Sequence, residues 1–332
     1  MPKTTILEGV YTDSEERQSD DELEKITQTP LWEVPPKEPE IITFGERAMK
    51  CRLFLERIGM LRKTPVCVNW HEYPRGQVAH GYWRKDSTAR WFRKKKCSRW
   101  KLRNKVTIVG DDVAVPVYRF CEVGFPDLIV RRLEYHHMAP TIIQSIAWPN
   151  AMQGRSMVCI AERRSGKTLA YTLPGIVHTH RLGRRGRFGG PAVLVLLPTA
   201  ELAQQVEELV APYCLIADLT HACIYGPVAR NPQIRALRQG VDFLIATPGR
   251  LIDFLDAGYT NLRRCSYVVV DEADKMSKMG LGHQMRRIMS HVREKRQTLM
   301  FSAVWTRDVR ALSRQLHKDF IFINDNCSNE CY

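Results

Sequence analysis

Two short polar segments, each within a few residues of an apolar run, contain the residue types in this sequence that are best suited to chemistry. The first is Ser165-Gly166-Lys167-Thr168, which follows the apolar run 157–161. Before a helix, such a segment can wrap a phosphate with its backbone N–H groups, while the lysine supplies charge and the threonine hydroxyl ligates Mg²⁺. Taken alone the signal is weak, because a Ser-Gly cap at the start of a helix explains the same residues.

The second segment places two carboxylates at the end of another apolar run. Asp271 and Glu272 follow residues 267–270, about a hundred residues after Lys167. A magnesium-bound triphosphate needs one carboxylate at the metal ion and another to orient the attacking water. We therefore predict that Asp271 binds the metal ion and that Glu272 orients the water. A charged cap on a buried strand is the alternative, and the paired phosphate loop argues against it.

These segments belong to a regular alternation of short apolar runs and helical patterns. The runs are β-branched or leucine-rich and lack polar alternation, as in strands that are covered on both faces. They occupy residues 157–161, 192–198, 221–226, 243–248, 267–274, 298–303 and 320–324. Helical periodicity separates them, for example over 200–214 and 281–295. The expected fold class is α/β, a parallel sheet wrapped by helices, with ligands at the carboxyl ends of its strands.

Length and composition narrow the class of protein. The 332 residues suggest about two domains of roughly 150 residues each, and a hydrophobic fraction of 44% supports a sizeable core. No run approaches the roughly 18 apolar residues of a membrane span, and the N-terminus lacks the apolar core of a signal peptide. We expect an intracellular protein with no membrane partner, whose ten scattered cysteines are reduced thiols.

Charge is distributed unevenly along the chain. The net charge is +14, yet residues 1–40 contain eleven acids and four bases, a net of −7. Residues 81–105 contain eleven Lys or Arg and one Asp, a net of +10. The asymmetry indicates a polyanionic partner. The interleaved Trp83, Trp91 and Trp100 can stack on bases, which favours nucleic acid over a merely solvated basic face.

Three segments follow from these patterns. Residues 1–40 are predicted to be a disordered acidic tail, because their apolar density is too low to offset the entropy of ordering. Residues 41–105 are predicted to form a small basic α+β module, with a helix over 41–64 and short strands and turns over 66–105. Residues 106–332 are predicted to form the α/β lobe.

The α/β part resembles the first helicase lobe of the DEAD-box RNA helicase family, which has a RecA-like P-loop NTPase fold. The resemblance covers roughly residues 100–325 and depends on seven elements in the family's order. These elements are PTIIQ (140–144), AERRSGKT (161–168), PTAELAQQ (198–205), IYGP (224–227), TPGR (247–250), DEAD (271–274) and SAV (302–304). A single element arises easily by chance, whereas seven in order are highly specific.

The resemblance implies ATP and Mg²⁺ as ligands and RNA as a partner. It assigns the adenine to Gln144, with Phe120 or Phe125 as the upstream aromatic and His137 as a further candidate for stacking. It assigns phosphate and magnesium to Ser165, Gly166, Lys167, Thr168 and Asp271, and catalysis to Lys167, Asp271 and Glu272. It assigns RNA contacts to Pro198, Thr199, Gly226, Thr247, Pro248, Gly249 and Arg250.

Several positions depart from the family's pattern. Arg164 stands where the family has Gly, and a non-Gly residue at positive φ costs roughly 1–2 kcal/mol. We expect weakened rather than absent ATP binding, with the alternative that the Arg164 side chain points at the phosphates. Ala200, Pro227 and Val304 replace an Arg, a Gly and a Thr, which implies weaker coupling between RNA and hydrolysis. The sequence ends where the first lobe of the family ends, so hydrolysis and unwinding are expected to be weak or lost without the second lobe's arginine finger.

Residues 46–105 carry a second, weaker resemblance, to the N-terminal helix and zinc ribbon of a transposase group. Cys67 and Cys97 match ligand positions, but Trp70 and Phe92 occupy the other two. Tetrahedral zinc needs four ligands, so no structural zinc is predicted unless His71 or His80 substitutes. The basic module remains a candidate to bind DNA.

Three functions remain open at this stage. The favoured one is a DEAD-box ATP-dependent RNA helicase-type protein, an ATP hydrolase by resemblance. The second is a non-catalytic RNA-binding or scaffold relative, and the third is a transposase-derived DNA-binding protein. Charge and family suggest the nucleus, with the cytoplasm as the alternative.

Overall fold

The structure is a computed structural model that describes residues 90–183 and 189–325, with side chains from Cys97 onward. The predicted acidic tail 1–40 and the predicted helix 41–64 lie outside this part of the chain. The same holds for Cys67 and the other ribbon positions apart from Cys97. The division of the chain at residues 40 and 105 and the prediction of no structural zinc therefore stay predictions.

An eight-stranded sheet lies at the centre of the described residues. Its strands are β1 (Thr107–Val109), β2 (Met157–Ile160), β3 (Val193–Leu196), β4 (His221–Ile224), β5 (Phe243–Ala246), β6 (Tyr267–Val270), β7 (Gln297–Ser302) and β8 (Ile321–Asn324). The spatial order is β1-β8-β2-β7-β6-β3-β5-β4, and only β1, paired with β8, runs antiparallel to its neighbour. Strands β2 to β8 coincide with the seven predicted runs, which confirms the predicted α/β class.

Helices connect the strands and cover both faces of the sheet. They are α1 (Arg90–Asn104), α2 (Asp127–His136), α3 (Ile142–Met152), α4 (Lys167–Leu182), α5 (Ala200–Ile216), α6 (Arg230–Gln239), α7 (Pro248–Asp256), α8 (Ala273–Lys278), α9 (Gly282–His291) and α10 (Arg307–Leu316). Within the described ranges, none of these helices is both long and apolar enough to cross a bilayer.

The sheet separates two hydrophobic cores. In β3, Val193 and Val195 pack into one core, while Leu194 and Leu196 pack into the other. Helices α1 to α5 contribute to the first core and α6 to α10 to the second. Because both faces of each central strand are buried, most positions along it are apolar, and the buried polar residues of β7 at 297, 298 and 302 are hydrogen-bonded. This burial on both faces explains the unalternating runs in the sequence.

Helix α1 corrects the expectation of short strands and turns at its position. Residues 90–104 form a continuous helix of 15 residues. Cys97 and Trp100 are three positions apart, which places both on one helical face, and both are buried. Trp100 is 6% exposed and packs in the same core as Val106 and Phe120, so its ring is not available to stack on a base. The side chains of Trp83 and Trp91 lie outside the described residues.

Candidate functional site

The topology brings the phosphate loop and the acidic pair to the same edge of the sheet. The loop follows β2 and the acidic pair follows β6, and β7 lies between these two parallel strands. At this edge, Nζ of Lys167 lies 3.7 Å from Oε1 of Glu272, and both side chains are buried. Two segments that are about a hundred residues apart in the sequence therefore form one site.

The phosphate loop is shaped around Lys167 at the start of α4. The Lys167 side chain is 6% exposed, and its Nζ donates a hydrogen bond to the carbonyl oxygen of Ala161 at 3.1 Å. Gly166 precedes it with φ of 89°. A Cβ at Gly166 would lie 2.5 Å from Nε2 of Gln144, so both the backbone angle and the space require glycine.

Asp271 is held on both of its carboxylate oxygens. The Tyr171 hydroxyl donates to Oδ2 at 2.9 Å, and the backbone N–H of Glu272 donates to Oδ1 at 2.8 Å. The Thr168 side chain also hydrogen-bonds to the Tyr171 hydroxyl. Burial raises the pKa of Asp271, and the Lys167 charge and these hydrogen bonds only partly oppose that shift. A buried carboxylate that is incompletely compensated, close to a threonine hydroxyl, is a suitable place for a cation.

These oxygens fit a magnesium ion that also has phosphate ligands. Among the described residues, no three His, Cys, Asp or Glu side chains gather into a set that would hold a metal ion alone. Magnesium is usually bound by one or two carboxylates together with substrate phosphates and water. Asp271 and Thr168 match that arrangement, in which the nucleotide completes the ligand set.

Glu272 has a strained backbone and lies between two lysines. Its φ is 52° and its ψ is 47°, a left-handed conformation that costs a non-Gly residue roughly 1–2 kcal/mol. Its Oε2 forms an ion pair with Nζ of Lys275 at 3.4 Å but no hydrogen bond, and its Oε1 faces Lys167. Strain of this kind persists where the surroundings fix a functional side chain.

Gln144 links the start of α3 to the phosphate loop. Its Nε2 donates to the carbonyl oxygen of Gly166 at 3.1 Å, and its Oε1 accepts from the backbone N–H of Thr141 at 3.1 Å. The Thr141 side chain in turn accepts from the backbone N–H of Gln144, which completes a capping box. The amide is 5% exposed and makes one hydrogen bond through each of its polar atoms, so its second N–H and a second lone pair on Oε1 remain for an adenine.

The placement of Phe120 is a correction to its predicted role. Phe120 is 3% exposed, and its ring lies 6.0 Å from that of Trp148. Phe125 is also buried and packs edge-on against Trp148 at 5.3 Å. Both rings lie in the core because they pack the segment before α2 against Trp148 of helix α3. Neither ring has a face open to an adenine. The exposed ring near this segment that was predicted to stack is His137.

At Arg164 the phosphate loop departs from the family's residue pattern but keeps the backbone conformation of a glycine. Arg164 adopts φ of 64°, the left-handed conformation for which the family uses glycine. Its side chain is exposed, like those of Glu162 and Arg163. The Ser165 hydroxyl is buried without a hydrogen-bond partner.

Beside the loop, at the end of β8, burial together with the Glu162 charge raises the pKa of Asp325 to about 6.

Asp274 connects the acidic segment to the end of β7. The Ser302 hydroxyl donates to Oδ1 of Asp274 at 3.0 Å, and the backbone N–H of Ala303 donates to the same oxygen at 3.3 Å. Sequence reasoning missed this link and the contact of Tyr171 with Asp271. Tyr171 lies four positions after Lys167 in α4, so helical spacing, which places both on one face, was the available signal.

The residues predicted to contact RNA lie on the other half of the same edge. Strands β3, β5 and β4 are neighbours, and the predicted residues follow their carboxyl ends. Pro198 and Thr199 follow β3, Gly226 follows β4, and Thr247, Pro248, Gly249 and Arg250 follow β5. The structure therefore places Pro198, Thr199, Gly226 and Thr247 in three adjacent loops, and residues 248–250 in the first turn of α7.

Arg250 joins two of these loops. Its Nη2 donates to the carbonyl oxygen of Val228 at 3.0 Å, and its guanidinium lies over the Phe254 ring at 5.5 Å. Its Nη1 is buried without a hydrogen-bond partner. Because an unpaired buried donor is costly, this nitrogen is suited to donate a hydrogen bond to a ligand oxygen at the loop.

Comparison with protein families matches residues 141–312 to the model of the DEAD/DEAH box helicase. The chain is 47% identical over 226 residues to ATP-dependent RNA helicase DBP2 of Gibberella zeae, covering 68% of this chain and 41% of that protein. It is 48% identical over 226 residues to probable ATP-dependent RNA helicase DDX17 of Homo sapiens, covering 31% of that protein. The chain thus matches less than half the length of these two relatives.

Two solved structures of DEAD-box proteins superimpose on this chain. The yeast DEAD-box splicing factor Prp28 superimposes with a TM-score of 0.66 at 27% identity, covering 72% of this chain and 58% of that one. A DEAD box protein from Methanococcus jannaschii superimposes with a TM-score of 0.58 at 30% identity, covering 64% of this chain and 57% of that one.

Proposed function

The chain belongs to the DEAD/DEAH box helicase family, and we propose that it binds ATP with Mg²⁺ at one half of the carboxyl edge of its sheet and RNA at the other. The observation that carries the proposal is the convergence of Lys167, Asp271 and Glu272, in which Lys167 Nζ lies 3.7 Å from Glu272. Because the two helicase relatives are much longer, helicase activity is itself part of the proposal.

Nucleotide binding would exchange the partners of Lys167. In the structure, its ammonium group is shared between Glu272 and the carbonyl oxygen of Ala161. A phosphate offers a stronger, charge-assisted acceptor, so Lys167 would turn to the phosphate and release Glu272. Glu272, still held by Lys275, would then be free to orient a water.

Asp271 and Thr168 would hold the magnesium ion, which offsets the negative charge of the phosphates when bound. The hydrogen bond from Tyr171 fixes the orientation of the Asp271 carboxylate. The lone pairs of its oxygens that accept no hydrogen bond therefore keep one direction. The backbone N–H groups at the start of α4 add partial positive charge at the phosphates.

RNA would lie along the loops after β3, β4 and β5. Pro198, Thr199, Gly226 and Thr247 line these loops together with residues 248–250 of α7, and Arg250 supplies an unpaired buried donor there. Contacts to the phosphate backbone position a nucleic-acid strand without reading its base sequence. The two ligands would then lie at the same edge of the sheet. The nucleotide would lie at the ends of β2, β7 and β6, and the RNA at the ends of the neighbouring strands β3, β5 and β4.

Hydrolysis and unwinding are proposed to be weak. Arg164 has a positive φ within the phosphate loop, and Val304 lacks the hydroxyl that a threonine would supply after Ser302. These two positions favour the second candidate, a non-catalytic RNA-binding or scaffold protein. The transposase-derived DNA-binding alternative depends on residues outside the described part of the chain. We propose the nucleus as the location, on the basis of basic charge and family, with the cytoplasm as the alternative.

A magnesium-dependent ATP titration of the full chain tests the nucleotide site. Lys167→Ala should weaken binding by at least tenfold, because it removes a charge-assisted contact to phosphate. Lys278→Ala, which removes an exposed lysine at the end of α8, is the matched control and should bind as the parent protein does. Equal affinity of all three proteins would reject nucleotide binding by this loop.

RNA-stimulated phosphate release separates the enzyme from the scaffold. Phosphate release that depends on both RNA and Glu272 would support hydrolysis, and Glu272→Gln is the variant to compare. Nucleotide and RNA binding without any release above background would favour the scaffold candidate.

A further inference from the structure

A group of cations lies at the opposite edge of the sheet from the proposed nucleotide and RNA sites. They lie at the end of α4, which leads to β3, and in the connections that enter the amino ends of β6 and β7. These three strands include two pairs of neighbours, β7 with β6 and β6 with β3. We call this group the amino-edge cluster; it consists of Arg181, Arg263, Arg264, Arg293, Lys295 and Arg296.

Contacts and charges place Arg181, Arg264 and Arg293 near one side chain, and the other three members of the cluster lie within three positions of these in the sequence. His178 in α4 hydrogen-bonds to the Ser266 hydroxyl at 2.7 Å, immediately before β6. Burial lowers the pKa of His178 to about 4, and the charges of Arg181, Arg264 and Arg293 lower it further in the same direction. Three arginines from three different segments of the chain are therefore close enough to act on one imidazole, which stays neutral beside them.

The nearby acids are already engaged with bases. Asp242 pairs with Arg264 at 3.3 Å, Glu294 pairs with Lys318 at 2.6 Å, and Asp319 pairs with Arg155 at 3.5 Å. Within the described ranges, no acid lies within ion-pair distance of Arg263, Arg293 or Lys295, and all three side chains are exposed. The local excess of positive charge is therefore presented to solvent.

In the described part of the chain, the surface around the cluster lacks the apolar groups of a protein interface. The large exposed hydrophobic side chains among the described residues are Leu102, Val109, Tyr118, Tyr135, Met138, Ile142, Leu209, Val228 and Met279, and none belongs to the connections that enter β3, β6 and β7. Protein interfaces have a core enriched in aromatic and apolar residues. A surface of guanidinium and ammonium groups alone instead suits phosphates, which arginine binds with a matching fork of donors.

We propose that the amino-edge cluster is a second RNA-binding surface, which contacts the phosphate backbone without reading sequence and has Arg263, Arg293 and Lys295 as its outer contacts. It goes beyond the proposed function, which places RNA at the carboxyl edge. Strands β3 and β6 have four residues each, so the two edges are roughly 13 Å apart through the sheet. An RNA segment on one edge cannot touch the other without passing around the lobe, so two segments are needed to occupy both.

The test compares salt-dependent RNA binding of charge-neutralised variants of the full chain. Arg263→Gln/Arg293→Gln/Lys295→Gln removes the three outer contacts, and Arg235→Gln/Arg286→Gln/Arg314→Gln removes three exposed charges from the outer faces of α6, α9 and α10. Binding of a labelled single-stranded RNA is measured by fluorescence anisotropy over a series of salt concentrations. Equal thermal midpoints of the two variants show that both remain folded.

Each phosphate contact on a single strand contributes about 0.7 to the slope of log K against log salt, so the amino-edge variant should lose about 2 from the slope. It should also bind RNA at least tenfold more weakly than the control variant at low salt. A slope and an affinity equal to those of the control variant would overturn the proposal. A loss seen only with DNA of the same sequence would also overturn it, since the surface would then serve DNA.

The nucleotide titration distinguishes a failure of the second RNA surface from a failure of the proposed nucleotide site. If ATP binding depends on Lys167 while the amino-edge variant binds RNA like the control, the second surface is rejected and the proposed nucleotide site stands. If the amino-edge variant loses RNA affinity while Lys167→Ala has no effect on ATP, the surface is supported and the nucleotide site is rejected.

Discussion

The Tyr171 hydroxyl donates a 2.9 Å hydrogen bond to Oδ2 of Asp271, a residue 100 positions later in the sequence. Tyr171 is itself fixed, because the Tyr267 hydroxyl donates to its carbonyl oxygen at 2.9 Å. Two buried tyrosines thus connect helix α4 with strand β6 behind the proposed magnesium site. Asp271 is therefore oriented before any ligand arrives.

We expect Tyr171→Phe to raise the Mg²⁺ concentration needed for half-maximal ATP binding by about tenfold. A hydrogen bond to a charged acceptor contributes about 1.5–3 kcal/mol, and its loss leaves Asp271 less well held and easier to protonate. The measurement is an ATP titration at several Mg²⁺ concentrations. Thr179→Val is the matched control, since it removes a buried hydroxyl about two turns further along α4 that donates only to the backbone carbonyl oxygen of Gly175. A Mg²⁺ dependence that is the same in both variants would assign Tyr171 a structural role only.

Arg164→Gly should stabilise the protein by about 1 kcal/mol and strengthen ATP binding. Arg164 occupies φ of 64°, where glycine avoids the steric cost that other residues bear. Thermal unfolding and the ATP titration give the two readouts. Arg163→Gly changes the adjacent exposed arginine, whose φ is not positive, and should be neutral or destabilising. Weaker ATP binding by Arg164→Gly would show instead that the arginine side chain reaches the phosphates.

Gly166→Ala should abolish measurable ATP binding and lower the free energy of unfolding by at least about 2 kcal/mol. A methyl group there would lie 2.5 Å from Nε2 of Gln144 and 2.9 Å from Oγ1 of Thr141, on a backbone with φ of 89°. Gly282→Ala places the same methyl group at the start of α9 with no atom within 4 Å, and it should be neutral or slightly stabilising. Comparable ATP affinity in both variants would mean that the loop rearranges freely.

Asp325→Asn should stabilise the protein at pH 8 by about 1 kcal/mol, after allowance for the partial exposure of the side chain. The pKa of Asp325 in the folded state is raised from 3.8 to about 6, so the folded state binds the proton more tightly than the unfolded state. Stability therefore falls as the pH rises from about 4 to 6, and the asparagine removes that loss.

Denaturant unfolding at pH 4.5 and pH 8 checks this pH dependence. The advantage of Asp325→Asn should be largest at pH 8 and shrink toward the lower pH. Asp319→Asn, at an exposed position next to Arg155, should change stability by at most about 0.5 kcal/mol at either pH. An advantage for Asp325→Asn that does not depend on pH would contradict the raised pKa.

The strands were predictable because burial on both faces leaves a local signature in the sequence. Each of the seven runs is built around consecutive apolar residues, and no knowledge of partners is needed to recognise them. The proximity of Lys167 to the acidic pair followed from the rule that loops after parallel strands share one edge. Strand β1 was not predicted, since its three residues are too few to show a pattern.

The remaining features depend on contacts that no local pattern reveals. Helix α1 was misread because its buried face is formed by Cys97 and Trp100, amid a run of basic residues that resembles a turn-rich segment. Phe120 was assigned to the ligand because an aromatic residue in sequence looks the same whether it meets Trp148 or an adenine. The hydrogen bonds of Gln144 with Gly166 and Thr141 likewise depend on how two distant loops meet.

The position of β7 sets a length scale for whatever enters the site. One strand separates β2 from β6, so the phosphate loop and the acidic segment start two inter-strand spacings apart, about 10 Å. Only a long side chain spans that interval, and Lys167 does so by reaching Glu272. A ligand that displaces this side chain must itself be long and multiply charged, so a monophosphate or a free inorganic anion would bridge only part of the distance.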